Sequence, residues 1–344
     1  MDSAMSREIR LKRRPVGTPT ERDMALFEVP VPKPGKGEIL VRNLFMSVDP
    51  YMRGRMVDRK SYIPPFQIGA VMEGGAIGRV VGSEGGPFEK GDYVLSMLGW
   101  RDYFVSDGSG LRKIDPAIAP IQAYLGVLGL TGFTAYVGLL EIGRPKAGDT
   151  VFVSAASGAV GSMVCQIAKI KGCRVVGSAG SDEKVAWLAE EAGIDAAFNY
   201  KRTPDLIQEL GKHCQKGIDV YYENVGGEHL VASLEHMNPL GRIVLCGLIS
   251  QYNATEPVPG PVNFSQILVK RLTVQGFVVG DHFDKLSRFT TEMSTWIKEG
   301  KIKWKETVVE GLENAPAAFI GLFEGKNFGK MLVKLAPETD SILP

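Results

Sequence analysis

The sequence predicts an α/β protein in which a doubly wound parallel sheet is joined to a second, β-rich domain. Three observations lead there. Up to about residue 115, short apolar runs are separated by Pro- and Gly-rich turns. From about Tyr124, strand-like runs alternate with helix-like stretches. At 344 residues the chain is long for one core, so two domains of roughly 100–200 residues are expected.

In the first part, 38–44 (EILVRNL), 76–81 and 92–95 read as strands. Pro30, Pro32, Pro34, Gly35, Gly37 and the turn at 82–87 punctuate them. Short strands at such spacing imply a compact, barrel-like β domain. The basic N-terminus (Arg7, Arg10, Lys12, Arg13, Arg14) has no apolar run after it. It reads as a frayed tail leading into a first strand, not as a signal peptide. Residues 116–140 carry no charge, over a length that meets the roughly 20 residues of a membrane span. Pro116, Pro120, Gln122 and four glycines interrupt them, so a buried interdomain helix is the reading taken.

The second domain opens with a strand at 151–153 and a turn, Ala156-Ser157-Gly158-Ala159-Val160-Gly161. A helix to about residue 171 and a strand at 174–176 follow. This βαβ unit approximates the dinucleotide fingerprint, with Ala156 in place of its first glycine. The glycines allow the backbone to approach a pyrophosphate at the positive end of the helix. The second strand ends Gly177-Ser178-Ala179-Gly180, with no Asp or Glu to hold a ribose 2′-hydroxyl. Lys184 follows within a helical turn. A cation without the acid favours a 2′-phosphate, so the socket is expected to select NADPH. The turn also fits an ordinary strand–helix junction, and Ser181-Asp182-Glu183-Lys184 also fits an N-cap, an acidic first turn and a solvated lysine. The complete βαβ setting favours the cofactor socket.

Further on, helices are expected at 182–192, 204–214 and 228–236. Strands are expected up to Tyr200 and at 218–222, 242–246 and 272–278. This alternation makes a sheet of about six parallel strands. An amphipathic helix at 283–298 follows, and a strand–helix–strand tail (307–309, 314–323, 331–335) is expected to complete the β domain. The loop 250–263, with Pro257, Pro259 and Pro261, is long enough for a lid.

A net charge of +1 points to no nucleic-acid or membrane partner. Cys165, Cys173, Cys214 and Cys246 form no Cys-x-x-Cys pair, and the four histidines stand apart. Metal-ligand spacing is absent, and buried thiols suit a reducing compartment, the cytoplasm. A Gly-x-Ser-x-Gly elbow is also missing. The chemistry left is hydride transfer without a metal, which needs an electrophile polarised by hydrogen-bond donors. Tyr252, just past a strand end in Cys246-Gly247-Leu248-Ile249-Ser250-Gln251-Tyr252, is the candidate donor. Tyr51, in Asp49-Pro50-Tyr51-Met52-Arg53-Gly54-Arg55, is the second. Each tyrosine also fits simple packing, and Arg53 and Arg55 fit ion pairs with Asp49 or Asp58.

DPYMRGRM (49–56), GFTAYVGL (132–139), the 155–161 turn, YENVGG (222–227), CGLISQYN (246–253), 310–319 and GKNFG (325–329) occur in that order. In these motifs the chain resembles the zinc-independent medium-chain dehydrogenase/reductases over nearly its whole length. More narrowly it resembles the prostaglandin reductase, leukotriene hydroxydehydrogenase and plant double-bond reductase group, with its bacterial curcumin-reductase-like members. It departs at Gly129-Leu130-Thr131-Gly132, where a Met-Pro pair is usual. The resemblance implies a GroES-like β-barrel catalytic domain (1–126 and 301–344) and a Rossmann domain (127–300). It implies NADPH-dependent reduction of α,β-unsaturated ketones and aldehydes, and a homodimer. By analogy Gly158, Ala159, Val160 and Gly161 hold the pyrophosphate, and Lys184 and Tyr200 the 2′-phosphate. Asn224, Cys246, Gly247, Leu248, Ser250 and Tyr252 would line the cofactor cleft, with Phe277, Val279 and Asn327 flanking the nicotinamide. A quinone oxidoreductase and a non-enzymatic NADPH-binding sensor or scaffold remain as alternatives.

Overall fold

A computed structural model describes residues 4–338. Residues 1–3 and 339–344, included in the expected catalytic domain, lie outside the described residues. The chain divides into two compact units. One holds the residues up to Gly126, Glu306–Asn327 and those from Met331 on; the other holds Val127–Lys305 and Phe328–Lys330.

The first unit opens on an antiparallel pair, β1 (Met5–Leu11) and β2 (Met24–Pro30). This corrects the reading of the basic N-terminus as a frayed tail. Arg7 and Arg10 lie within β1, where Arg7 Nε donates to Asp102 (2.9 Å) and Arg10 sits over the Phe27 ring (4.5 Å). Ile9 and Leu11, on alternate positions, enter the core. Charged neighbours masked that alternation.

A larger sheet is built around β3 (Ile39–Ser47), an almost wholly buried strand. The helical turn α1 (Met52–Arg55) follows, then β4 (Ala76–Ser83), β5 (Tyr93–Ser96), β6 (Tyr103–Ser106) and β7 (Arg112–Lys113). β4 and β6 pair antiparallel with β3. Met46, Met52, Trp100 and Phe319 pack in its core.

The expected single helix over 116–140 is broken. Ile121–Leu125 forms a 3-10 turn, α2 spans Leu130–Val137, and Gly138–Gly143 widens into a π turn. Gly126 causes the first break, with φ −122° and ψ −106°, outside any helical region. Among the described residues no helix is long and apolar enough to cross a membrane.

The second unit continues with β8 (Thr150–Val153), α3 (Gly161–Ile170), β9 (Arg174–Ala179), α4 (Asp182–Glu190) and β10 (Ala196–Asn199). Then come α5 (Leu206–His213), β11 (Ile218–Glu223), α6 (Gly227–His236) and β12 (Met237–Leu245). α7 (Gln266–Val269), β13 (Thr273–Gly276) and α8 (Leu286–Lys298) complete it. The six strands are parallel, in the order β10-β9-β8-β11-β12-β13. Chain direction across the sheet therefore reverses between β8 and β11, where doubly wound folds bind ligands. Phe152 stacks on Tyr221 (5.1 Å) and Phe198 (6.2 Å) beneath that point. Helix α8 starts later than expected, because His282 (φ −120°, ψ 19°) interrupts a 3-10 segment, Val279–Lys285.

Finally β14 (Glu306–Glu310), α9 (Ala315–Glu324) and β15 (Lys330–Lys334) return to the first sheet. β15 pairs antiparallel with β3, with Leu332 opposite Ser47.

Candidate active site

The turn after β8 is shaped by close backbone approach. Ala155 takes a left-handed conformation (φ 48°), and Ala156 N donates to Ser178 O at 2.9 Å, tying the turn to β9. A Cβ on Gly161 would stand 2.3 Å from Ala155 O, so only glycine fits. Gly158, Ala159 and Val160 are partly exposed along the turn. Val160 caps α3 without a side-chain hydrogen bond, which leaves the positive end of a ten-residue helix open to an anion.

Beyond β9, Ser181 does cap α4, accepting from Lys184 N at 3.3 Å. The cap and the cation coexist. Lys184 is half-buried; burial and the nearby charge of Lys201 both lower its pKa. Tyr200 and Lys201 lie side by side over Gly180. Burial holds the Tyr200 phenol above its ordinary range, so it remains a donor. Its ring meets His229 edge-on at 5.0 Å, and His229 Nε2 lies 3.0 Å from Ser178 Oγ. Burial pushes that imidazole down to about 4, so it is neutral at pH 7. Asp182, a nearby acid, is engaged by Asn199 (2.7 Å) and Arg202 (2.5 Å). These residues fit a dinucleotide carrying an extra phosphate: an open helix end, paired lysines and a phenol donor.

Beyond β11 and β12 the backbone is closely knit. Asn224 Nδ2 donates to Ser154 O (2.8 Å) and Asn224 N to Ser154 Oγ (2.9 Å). Cys246 N and Gly247 N both donate to Glu223 O, at 3.0 and 3.1 Å. Ser250 Oγ donates to Val225 O at 2.6 Å, and Leu248 N to the Tyr252 hydroxyl at 3.4 Å. Tyr252 therefore arches back over its own loop, its oxygen beside Gly247. Cys246, just past the end of β12, departs from the expectation of buried thiols by being partly exposed. Burial pushes its thiol up to about 11, which makes it a poor nucleophile at neutral pH. Phe277 packs edge-on to His282 (6.4 Å), and Val279 begins the following 3-10 segment; both are half-buried.

Tyr51 and Asn327 belong to the other unit. Tyr51 starts α1, and its hydroxyl is buried without a hydrogen-bond partner. Burial, reinforced by the charge of Asp49, raises its pKa well above the ordinary phenol value. Asn327 is half-buried between α9 and β15. Arg55 pairs with Glu73 (2.7 Å) and lies over Phe66 (4.1 Å), and Asp58 meets Arg14 (3.8 Å). Arg53 donates to Gly17 O at 2.9 Å. Ser154, Glu223, Lys201 and His229 are absent from the sequence reading of the site. Lys201 could have been found as a cation directly after a strand end, and Glu223 as an acid closing an apolar run; nothing local marks Ser154 or His229.

A glycine turn at the reversal point of a parallel sheet, with two lysines one strand away, defines the frame of a dinucleotide-binding fold. The comparisons narrow the class. Residues 7–114 match the family described as N-terminal domain of oxidoreductase, and residues 159–298 the one described as zinc-binding dehydrogenase. Among the described residues no group of three or more His, Cys, Asp or Glu is placed to hold a metal ion. The NADPH-dependent curcumin reductase of Escherichia coli (strain K12) is 47% identical, over 95% of this chain and 96% of its own. The tobacco (Nicotiana tabacum) 2-alkenal reductase (NADP(+)-dependent) is 43% identical, over 98% and 99%. The crystal structure of CurA from Vibrio vulnificus in complex with NADPH superposes with a TM-score of 0.91 at 49% identity, covering 96% of this chain and 99% of that one. The chain belongs to the zinc-independent medium-chain dehydrogenase/reductases, in their double-bond reductase group.

Proposed function

We propose that this protein uses NADPH to reduce the carbon–carbon double bond of α,β-unsaturated ketones and aldehydes. Bound NADPH supplies a hydride for the β-carbon. The chain's own residues do the rest. Gly158, Ala159, Val160 and Gly161 receive the pyrophosphate at the start of α3. Lys184, Lys201 and Tyr200 receive the 2′-phosphate. Asn224, Cys246, Gly247, Leu248 and Ser250 would hold the cofactor beyond β11 and β12, with Phe277 and Val279 on the nicotinamide side. Tyr252 would donate to the substrate oxygen as that oxygen gains enolate charge. The proton for the α-carbon comes from solvent or a tyrosine. Tyr51 is the second candidate tyrosine; burial raises its pKa, so at neutral pH it keeps its proton and serves as a hydrogen-bond donor rather than as an acid.

The observation that most supports this reading is the phenol of Tyr252, turned back over Gly247 at the strand end next to the reversal point. The names of the E. coli and tobacco relatives point the same way. The unit carrying Tyr51 is read as the catalytic domain and the parallel-sheet unit as the NADPH domain. Its free cysteines suit the cytoplasm. A homodimer is supported by β13, an exposed edge strand with Leu268 and Val269 exposed shortly before it; sedimentation should give twice the chain mass.

A panel of enones, enals and a naphthoquinone, with NADPH consumption followed, tests the reading. Turnover of the enones is expected. Turnover of the quinone alone would make the protein a quinone oxidoreductase, and NADPH binding without any turnover would make it a sensor or scaffold.

A further inference from the structure

Glu223 is fully buried, at 0% exposure, on the last position of β11. An acid so placed needs compensation, and among the described residues no cation supplies it within hydrogen-bonding distance. Its Oε1 instead accepts from Val225 N (2.7 Å), Gly226 N (2.9 Å) and Ser154 Oγ (3.0 Å), while Oε2 has no partner. The two amides belong to the turn that begins α6, where the helix dipole is positive. That turn depends on glycine: Gly226 and Gly227 have φ of 81° and 54°. The carboxyl thus closes over a turn that could otherwise take other shapes.

Much of the loop carrying Tyr252 hangs from this turn. Glu223 O receives Cys246 N and Gly247 N, Asn224 O receives Ile249 N (3.2 Å), and Val225 O receives Ser250 N (3.0 Å) and Ser250 Oγ. Each backbone oxygen from Glu223 to Val225 anchors part of the 246–252 loop. On the other side, Ser154 Oγ takes Asn224 N and the Tyr221 hydroxyl (3.2 Å), and so ties the turn to β8.

We infer that Glu223 is a positioning residue: its buried carboxyl fixes the 224–226 turn, and through it the 246–252 loop and the Tyr252 hydroxyl. The effect on turnover rests on the role proposed above for Tyr252; the effect on the loop does not.

Two measurements test it. The first is hydrogen exchange in the cofactor-free protein. Glu223→Met fills the volume but removes the acceptor, and Glu223→Gln keeps an oxygen for the two amides. Exchange in peptides spanning 246–252 should rise about tenfold or more in Glu223→Met and stay near the parent rate in Glu223→Gln. Peptides from β8 and β9 should not change. Parent-like exchange at 246–252 in a folded Glu223→Met protein overturns the inference, as does equal loosening in both variants. If the methionine variant does not accumulate, Glu223→Ala against Glu223→Gln gives the same contrast.

The second measurement is a double-mutant cycle with Tyr252→Phe, read as kcat and KM. Glu223→Met should lower kcat about tenfold or more in the parent, and less than about threefold once Tyr252 is Phe. Equal losses in both backgrounds would mean that Glu223 does not act through Tyr252, and overturn the inference. Full turnover in Tyr252→Phe alone would instead remove the role of Tyr252, leaving the exchange result to decide whether Glu223 holds the loop.

Discussion

The ends of β9 and β11 flank the same strand, β8, yet they handle charge in opposite ways. Beyond β9, Lys184 and the exposed Lys201 raise the cost of holding two positive charges together. An incoming anion relieves that cost. Beyond β11, Glu223 is sealed from solvent and its oxygen is met by backbone amides and a serine. Its Oε1 is satisfied from within the chain, while Oε2 is buried without a partner. One strand end is proposed to meet charge on a ligand; the other uses a buried carboxyl to hold a shape. The difference lies in exposure, since the same carboxyl in water would gain little from two amides.

Substitutions can break or sharpen this contrast, starting with the largest effect. Gly161→Ala should abolish NADPH binding, with Kd rising more than about a hundredfold, because its methyl occupies the space of Ala155 O. Fluorescence titration with NADPH checks it; near-parent affinity would mean the turn is more pliable than its geometry.

Tyr252→Phe should lower turnover about a hundredfold while leaving NADPH affinity nearly intact, since oxyanion donors contribute roughly 2.7–4 kcal/mol. An unchanged turnover number would remove Tyr252 from the chemistry.

His229 offers a pH test of the β9 side. Its folded pKa of about 4 lies below the unfolded value of 6.5, so the unfolded chain binds the extra proton between them. Stability should therefore fall as pH drops from 6.5 towards 4, by about 3 kcal/mol for this group. Urea unfolding at stepped pH should show that slope, and His229→Gln should flatten it. An equally steep slope in the variant would assign the acid sensitivity to other groups.

The smallest effects belong to the exposed end. Lys184→Ala should raise the Michaelis constant for NADPH about tenfold, with Lys201→Ala changing it a few-fold, as expected for charge-assisted bonds near solvent. Neither should alter NADH. Equal effects on both cofactors would sink the phosphate assignment.

The parallel sheet was legible because each of its strands is an apolar run bounded by glycine or helix signals. Phe152, Val176 and Tyr221 in its core owe their places to that pattern. β1 was not legible, because Arg7, Glu8 and Arg10 interleave its two core residues and find partners distant in sequence, Asp102 among them. The break at Gly126 was hidden too, since an uncharged stretch looks the same whether it runs as one helix or three turns. In the site, Lys184 could be named from its distance to a strand end. Lys201 carries the same kind of signal, a cation directly after a strand end, but only the fold lays it with Tyr200 over Gly180.

The sequence by itself determined the order of elements, the turn that can take a pyrophosphate and the lack of an acid after β9. Those are local properties, set by which side chains a short stretch can bury or must expose. The tertiary structure decided what Glu223 does. Its worth depends on Ser154, distant in the chain, and on a desolvation that appears only once β8, β11 and β12 lie side by side.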